Sequence, residues 1–209
     1  AKGQWHKTAL MLAAHGGHVE VAQYLVGAGA DIEAKDADGK TVLMLAAHGG
    51  HREVAQYLVG AGADIETKDS DADTALMFAA ERGHVEVAQY LVGAGADLAA
   101  KDQWGSTALM IAAEKGHVEV AQYLVGAGAD LAAARPDGMT ALMWAAYNGH
   151  VAVAQCLVTA GAELNAKEEY GYTALMWAAL KGHQETAQFL LKAGAELEAK
   201  STNMYQEGM

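Results

Sequence analysis

Apolar and polar residues follow a helical pattern in short segments that recur along the whole chain. A rotation of about 100° per residue places three apolar residues of one segment on a single side, namely Leu109, Ala112 and Ala113. The opposite side carries Ile111, Glu114 and Lys115. A second segment has the apolar stripe Val120, Tyr123 and Leu124 with Ala121 beside it, while Glu119 and Gln122 point away. The pattern predicts a helical hairpin in which only the first side of the first helix belongs to the core.

This hairpin is one of six copies. A Thr-(Ala/Val)-Leu-Met segment recurs with a constant period, beginning at Thr8, Thr41, Thr74, Thr107, Thr140 and Thr173. The threonine is a predicted N-cap of the first helix, and Gly116 is predicted to end that helix in the left-handed conformation. One hairpin cannot bury its apolar surface alone, so neighbouring copies must stack.

The period and its motifs resemble ankyrin repeats, whose characteristic length is about 33 residues. The resemblance rests on Thr-Ala-Leu-Met-x-Ala-Ala, Gly-His-x-Glu-Val and Gly-Ala-Asp, and it covers essentially residues 3 to 200. It implies an all-α solenoid of stacked helix-turn-helix units with short β-turn or hairpin connections. We expect a single domain over residues 1–200, with repeats at approximately 3–35, 36–68, 69–101, 102–134, 135–167 and 168–200, and a disordered tail over 201–209.

Two positions depart from the family pattern Thr-Pro-Leu-His. Ala or Val replaces the proline, and a methionine such as Met110 replaces the histidine in every copy. Ankyrin proteins typically use that histidine in hydrogen bonds between repeats, so we expect this chain to depend more on apolar packing.

Differences between copies indicate a variable surface. Residues 69–101 and 102–134 differ at seven positions, six of which lie in the turn or on the outer side of the first helix. The resemblance implies that turn tips and first helices line a concave face that binds other proteins. Because interfaces favour large aromatic side chains, Met and Arg, we predict these protein-binding residues: Arg82, Trp104, Lys115, Met139, Trp144, Tyr147, Asn148, Tyr170, Tyr172, Trp177, Leu180 and Lys181.

Some of these side chains have an alternative interpretation. Phe78, Ile111, Trp144 and Trp177 occupy the position of Leu12 and Leu45, so they could equally be packing residues between adjacent first helices. Trp104, Tyr147, Tyr170 and Tyr172 stand where other copies carry Asp, Glu or Lys, which favours exposure and binding.

Composition excludes several classes of protein. The chain is 52% hydrophobic and 19% charged, with one Cys and a net charge of -12. These values exclude a chain that is disordered throughout and a disulfide framework, and they disfavour nucleic acid as a partner. No apolar run is long enough to cross a membrane. We expect an intracellular, cytoplasmic protein without a cofactor or metal.

Candidate chemical sites follow the repeat instead of interrupting it. One histidine per copy forms a ladder from His18 to His183, but helices stacked roughly 8 to 10 Å apart cannot bring consecutive rings to one metal ion. Cys156 replaces an aromatic residue of the other copies, and burial should raise the pKa of its thiol. Asn165, eight residues after Leu157, resembles an asparaginyl hydroxylation site of some ankyrin proteins, although a turn-stabilising role explains it equally.

These observations predict a non-enzymatic scaffold that presents its concave surface to a partner protein with a neutral or basic contact surface. The alternative is a structural spacer or a self-associating segment of a longer array, because the first copy begins without a polar cap. A monomer is favoured over an oligomer. Near-identical copies are compatible with a natural array or an engineered binder, although the Ala-Leu-Met departures argue against a standard consensus library.

Overall fold

The computed structural model describes residues 7–201, and this part of the chain contains twelve α-helices and no strand. The helices form six hairpins, and each hairpin matches one copy of the repeat. Their bounds are α1 Ala9–His15, α2 Val19–Gly27, α3 Val42–Gly49, α4 Arg52–Gly60, α5 Ala75–Arg82, α6 Val85–Gly93, α7 Ala108–Lys115, α8 Val118–Gly126, α9 Ala141–Asn148, α10 Val151–Thr159, α11 Ala174–Lys181 and α12 Gln184–Lys192. The predicted tail, residues 201–209, lies outside the described residues except for Ser201.

The chain divides into two compact units, residues 1–103 and 104–209. In unit 1, the first helices α1, α3 and α5 pack side by side, and so do the second helices α2, α4 and α6. In unit 2, α9 packs between α7 and α11, and α10 packs between α8 and α12. Each unit is therefore an all-α solenoid of three stacked helix-turn-helix repeats.

Each first helix begins at the predicted threonine cap. The Thr41 hydroxyl accepts a hydrogen bond from the backbone N–H of Met44 at 3.3 Å. In return, the Met44 sulfur accepts from the Thr41 N–H at 3.2 Å. The same reciprocal pair is present in α1, α5 and α11. Methionine thus completes a capping box here, although its sulfur is a weak acceptor.

A left-handed glycine follows the first helix, as predicted. Gly50 has φ 77°, and an added Cβ at this residue would lie 2.6 Å from the Nδ1 atom of His84. The position therefore requires glycine both for its backbone conformation and for the close approach of the next repeat's histidine.

The burial of residues in the first helices contradicts one prediction. In α7, Leu109, Ala112 and Ala113 are buried as expected, but Ile111 is also buried. Phe78 is buried in the same way in α5. These two residues are therefore packed and do not face solvent, and in unit 1 the His48 ring of α3 lies against Phe78. The second helix agrees with prediction, since Val120, Ala121 and Leu124 are buried and Glu119 and Gln122 are exposed.

Polar bonds also join neighbouring repeats inside each unit. The His84 Nε2 atom lies 3.1 Å from the His48 carbonyl oxygen, and the His183 Nε2 atom lies 2.9 Å from that of Tyr147. The Tyr57 hydroxyl donates to the Gln23 carbonyl at 3.5 Å. The ladder histidines thus supply an interrepeat network that apolar packing alone would not provide.

Side-chain bonds near the hairpin connections add to that network. Lys35 donates to the Lys68 carbonyl, and the Asp64 N–H donates to the Glu33 carboxylate at 2.9 Å. Asn165 takes the place of Glu33 in its copy, because its side-chain oxygen accepts from the Glu196 N–H at 2.9 Å. Asn165 therefore links two repeats, a role that its sequence context did not predict.

Three further findings concern the remaining sequence predictions. Cys156 is half-buried, and burial raises the pKa of its thiol, as predicted. Among residues 7–201, no group of three or more His, Cys, Asp or Glu side chains is arranged to hold a metal ion. None of the described helices is long and apolar enough to cross a membrane.

Candidate functional site

Four aromatic side chains of unit 2 form a continuous cluster on α9, α11 and the turn before α11. We call this set the ring cluster, and it consists of Trp144, Tyr147, Tyr172 and Trp177. The ring centroids of Trp144 and Tyr147 are 5.7 Å apart, those of Tyr147 and Trp177 are 5.3 Å apart, and Tyr172 stacks on Trp177 at 5.0 Å. All four residues are half-buried, so they pack together while leaving part of their surface accessible.

The repeat geometry explains how the cluster forms. Tyr147 lies near the end of α9 and reaches Trp177 on the next first helix, α11. The equivalent pair in unit 1 is His48 on α3 and Phe78 on α5, with ring centroids 6.0 Å apart. The stacking of first helices therefore brings this pair of positions together, and the ring cluster arises where both positions are aromatic.

Two cations lie against the ring cluster. The Lys181 ammonium is 4.1 Å from the centroid of the Tyr147 ring, and the Arg135 guanidinium is 5.2 Å from that of Trp144. Arg135 also lies 3.7 Å from the Asp137 carboxylate. Sequence reasoning missed Arg135, although a signal was present: this position carries Asp36, Asp69, Asp102 or Glu168 in four other copies.

Glu168 shows what the usual residue does at that position. It is buried, and its carboxylate accepts from the N–H groups of Tyr170 and Tyr172 at 3.0 and 2.8 Å. This bond pattern holds the turn that carries both tyrosines. Tyr172 is thereby fixed against Trp177, whereas Tyr170 is exposed at the turn tip.

The other predicted binding residues are distributed as follows. Trp104 and Leu180 are exposed, and Lys115 is exposed with its ammonium 2.8 Å from Glu114. Asn148 is half-buried and donates to the Trp144 carbonyl at 3.0 Å. Met139 is only 5% exposed, so its side chain is packed inside the unit and the prediction of a surface role is corrected.

Arg82 belongs to unit 1 and is not part of the ring cluster. It is exposed and lies 3.8 Å from the Glu81 carboxylate. Near it, His15 and His48 have ring centroids 5.7 Å apart, and Lys40 lies 5.4 Å from the Phe78 centroid. Burial and then the Arg82 charge lower the pKa of His48. His15, His48, Lys40 and Phe78 belong to a pocket, which is lined by Lys7, His15, Asp36, Asp38, Lys40, Met44, Leu45, His48 and Phe78.

The indole of Trp177 has an unusual environment within the cluster. Its Nε1 atom is buried and has no hydrogen-bond acceptor among the described residues. A buried donor without a partner costs about 1 to 3 kcal/mol. The packing of Trp177 between Tyr147 and Tyr172 must offset this cost.

Comparisons with known proteins identify the family. A model of ankyrin repeats in three copies matches residues 1–69, 64–134 and 127–201. The chain belongs to the ankyrin repeat family. The crystal structure of an ankyrin repeat domain from Acinetobacter baumannii AYE is similar, with 32% sequence identity and a TM-score of 0.78 over 90% of this chain and 98% of that one. No curated protein matches the chain.

Membership of the family gives the general role. Ankyrin repeats are generally protein–protein interaction modules and are generally not enzymes. The ring cluster has the composition expected for that role, since aromatic residues and Arg are enriched in protein interfaces.

Proposed function

We propose that this ankyrin chain is a non-enzymatic scaffold that binds a partner protein, with its main contact on the ring cluster of unit 2. The observation that carries the proposal is the half-exposed packing of four aromatic side chains on two adjacent first helices and the turn before the second of them. Aromatic side chains that are already held in place bury a large area while losing little conformational freedom. Trp104 and Tyr170 add exposed aromatic surface at two turn tips of the same unit.

The charge of the chain favours a partner with a neutral or basic contact surface. The net charge of -12 produces repulsion toward acidic surfaces at long range. Lys181 and Arg135 are already placed on ring faces, so they stabilise the ring cluster in the free protein. We expect salt to change the association rate more than the final affinity.

The test compares three immobilised baits in a cell lysate, with retained proteins quantified by mass spectrometry. The baits are the unchanged chain, a variant with Trp144, Tyr147, Tyr172 and Trp177 replaced by Ala, and a control with Gln122→Ala and Gln155→Ala. Both control residues are exposed on second helices of the same unit. A protein retained by the unchanged chain and the control, but lost from the ring-cluster variant, is then purified and titrated.

The expected loss of affinity is at least about 100-fold, because truncation of a single hot-spot residue commonly costs about 2 kcal/mol and often more. Since the four substitutions remove packed side chains, equal helicity must be confirmed by circular dichroism. A second variant, Tyr170→Ala with Lys181→Ala, changes only exposed residues and should weaken the same interaction, because it removes an exposed ring and the cation that lies on Tyr147. Retention of the same proteins at equal levels by all baits would contradict the proposal.

A further inference from the structure

Large exposed apolar side chains are concentrated in the first and last repeats. We define a front face by Leu12, Val21 and Tyr24, and a rear face by Leu180, Leu191 and Leu197. Among the described residues, the only other large apolar side chains that are exposed are Trp104 and Tyr170 at the turn tips. The two faces are therefore the main apolar surfaces apart from the site already described.

The front face is a surface that a preceding repeat covers elsewhere. Val21 is 49% exposed, whereas the equivalent Val54 is 1% exposed and Thr186, in the last repeat, is also 1% exposed. Because the last repeat buries this position without a described repeat after it, the preceding repeat supplies the cover. Tyr24 follows the same pattern, being 77% exposed while Phe189 is half-buried.

The rear face is the complementary surface. Leu197 is 68% exposed, whereas its first-repeat equivalent, Ile32, is half-buried. Since the first repeat buries this position without a described repeat before it, the following repeat supplies the cover. Leu191 and its first-repeat equivalent Val26 show the same difference.

We propose that the rear face of one chain binds the front face of a second copy and so continues the interface between repeats. In this arrangement, the first repeat of one copy follows the sixth repeat of the other as a seventh repeat would. Each contact between neighbouring repeats inside a unit therefore has an equivalent contact between the copies, found by counting repeat periods along the sequence. The equivalent of the contact between Tyr147 and Trp177 is a contact between Leu180 of one copy and Leu12 of the next. These leucines are 61% and 58% exposed in the single chain.

The same equivalence gives hydrogen-bond partners to four side chains that make no hydrogen bond among the described residues. The equivalent of the bond from His183 to the Tyr147 carbonyl pairs His18 with the Leu180 carbonyl of the other copy. The equivalent of the bond from Tyr57 to the Gln23 carbonyl pairs the Tyr24 hydroxyl with the Gln188 carbonyl. The equivalent of the bond from the Asp64 N–H to Glu33 pairs the Asp31 N–H with the Glu198 carboxylate. The equivalent of the bond from Lys35 to the Lys68 carbonyl pairs the Lys200 ammonium with the Lys35 carbonyl. Apolar and polar groups thus match in one register.

This interface is heterologous, because two different faces of the chain meet. One copy keeps a free rear face and the other a free front face, so association does not stop at two copies unless a ring closes. The sequence pattern favours a monomer, and this proposal departs from that expectation. At high concentration, the protein should form assemblies larger than dimers.

The test is sedimentation velocity from micromolar to millimolar protein. The unchanged chain should show an average mass that rises from the 21.8 kDa monomer to more than twice that value. Val21→Lys blocks the front face and Leu197→Lys blocks the rear face, so each variant alone should remain a monomer. An equimolar mixture should form a dimer and nothing larger, because each variant retains one intact face.

Matched controls are Gln23→Lys and Glu185→Gln, which make the same change in net charge on the second helices of the same two repeats. Both side chains are exposed, as are those of Gln155 and Glu119 at the equivalent positions of internal repeats, so they lie outside the stacking faces. Both controls should assemble like the unchanged chain. Leu12→Lys serves as an independent front-face variant if Val21→Lys has reduced helicity.

Three results would overturn the proposal. The first is a constant monomer mass for the unchanged chain throughout the concentration range. The second is assembly of the Val21→Lys and Leu197→Lys variants to the same extent as the controls. The third is a mixture of the two variants that stays monomeric, or a dimer formed by one variant alone, which would indicate pairing of identical faces.

Discussion

Replacement of Asp73 by Asn should stabilise unit 1 at neutral and alkaline pH but not at pH 4. Asp73 is partly buried in the turn before α5, and burial followed by the charges of Asp69, Asp102 and Asp71 raises the pKa of its carboxyl from 3.8 to about 7. Equivalent positions in other copies carry Lys40, Ser106, Met139 or Tyr172. The third repeat alone places a carboxylate here.

The direction of the change in stability with pH follows from proton binding. Between pH 3.8 and about 7, the folded chain holds a proton on Asp73 that the unfolded chain has released. Stability therefore falls as the pH rises through this window, and the full loss is reached above pH 7. Roughly three pKa units at about 1.4 kcal/mol each set an upper limit of about 4 kcal/mol. Because the carboxyl is partly solvated, we expect about 1 to 2 kcal/mol after allowance for screening.

The measurement is urea unfolding, followed by circular dichroism at pH 4 and pH 8, of the unchanged chain and the Asp73→Asn variant. The gain in unfolding free energy at pH 8 should match this screened value, and the gain at pH 4 should be close to zero. Glu86→Gln removes an exposed carboxylate from the same unit and controls for the change in net charge. A gain of equal size at both pH values, or no gain at pH 8, would refute the reasoning.

Two further predictions concern the stability of unit 1. Ala72 has φ 64°, and four other copies have a left-handed glycine at this position. Ala72→Gly should therefore stabilise by up to about 1 kcal/mol, and the reciprocal Gly39→Ala should destabilise. Thermal unfolding that ranks the two variants in the opposite order would contradict this. His84→Ala removes the 3.1 Å bond to the His48 carbonyl and should cost about 1 to 2 kcal/mol, whereas Tyr90→Phe, which removes a 3.4 Å bond to Gln56, should cost less than about 0.5 kcal/mol. Equal losses in urea unfolding for those two variants would show that the histidine bond has no special role.

Local features of the fold could be predicted from the sequence, whereas features that depend on a neighbouring repeat could not. The cap at Thr107 and the left-handed Gly116 depend on residues within one hairpin, and both are confirmed. The angular pattern places Ile111 on the solvent side, although it is buried, because a single helix does not show what packs beside it. At the same position of α5, the His48 ring of the preceding repeat lies against Phe78.

The candidate site shows the same division. Trp144, Tyr147, Tyr172 and Trp177 could be chosen from residue type and repeat position, but their joint packing required the stacking of α9 on α11. Arg135 was detectable in the sequence as a departure from an acidic position, although its contact with Trp144 was not. The sulfur bond of Met44 to Thr41 is unexpected, because thioethers are weak acceptors.

The interrepeat bonds explain how this chain changes its surface without changing its scaffold. The ladder histidines bind main-chain carbonyl oxygens, so the side chain at the accepting position plays no part in the bond. That position carries His15, His48, Glu114 or Tyr147 in four copies with the same bond, at distances from 2.9 to 3.1 Å. Because the acceptor is backbone, Tyr147 is free to contribute its ring to the ring cluster while its carbonyl holds the next repeat. Substitutions of Tyr147 should therefore alter partner binding while preserving the stacking bond from His183.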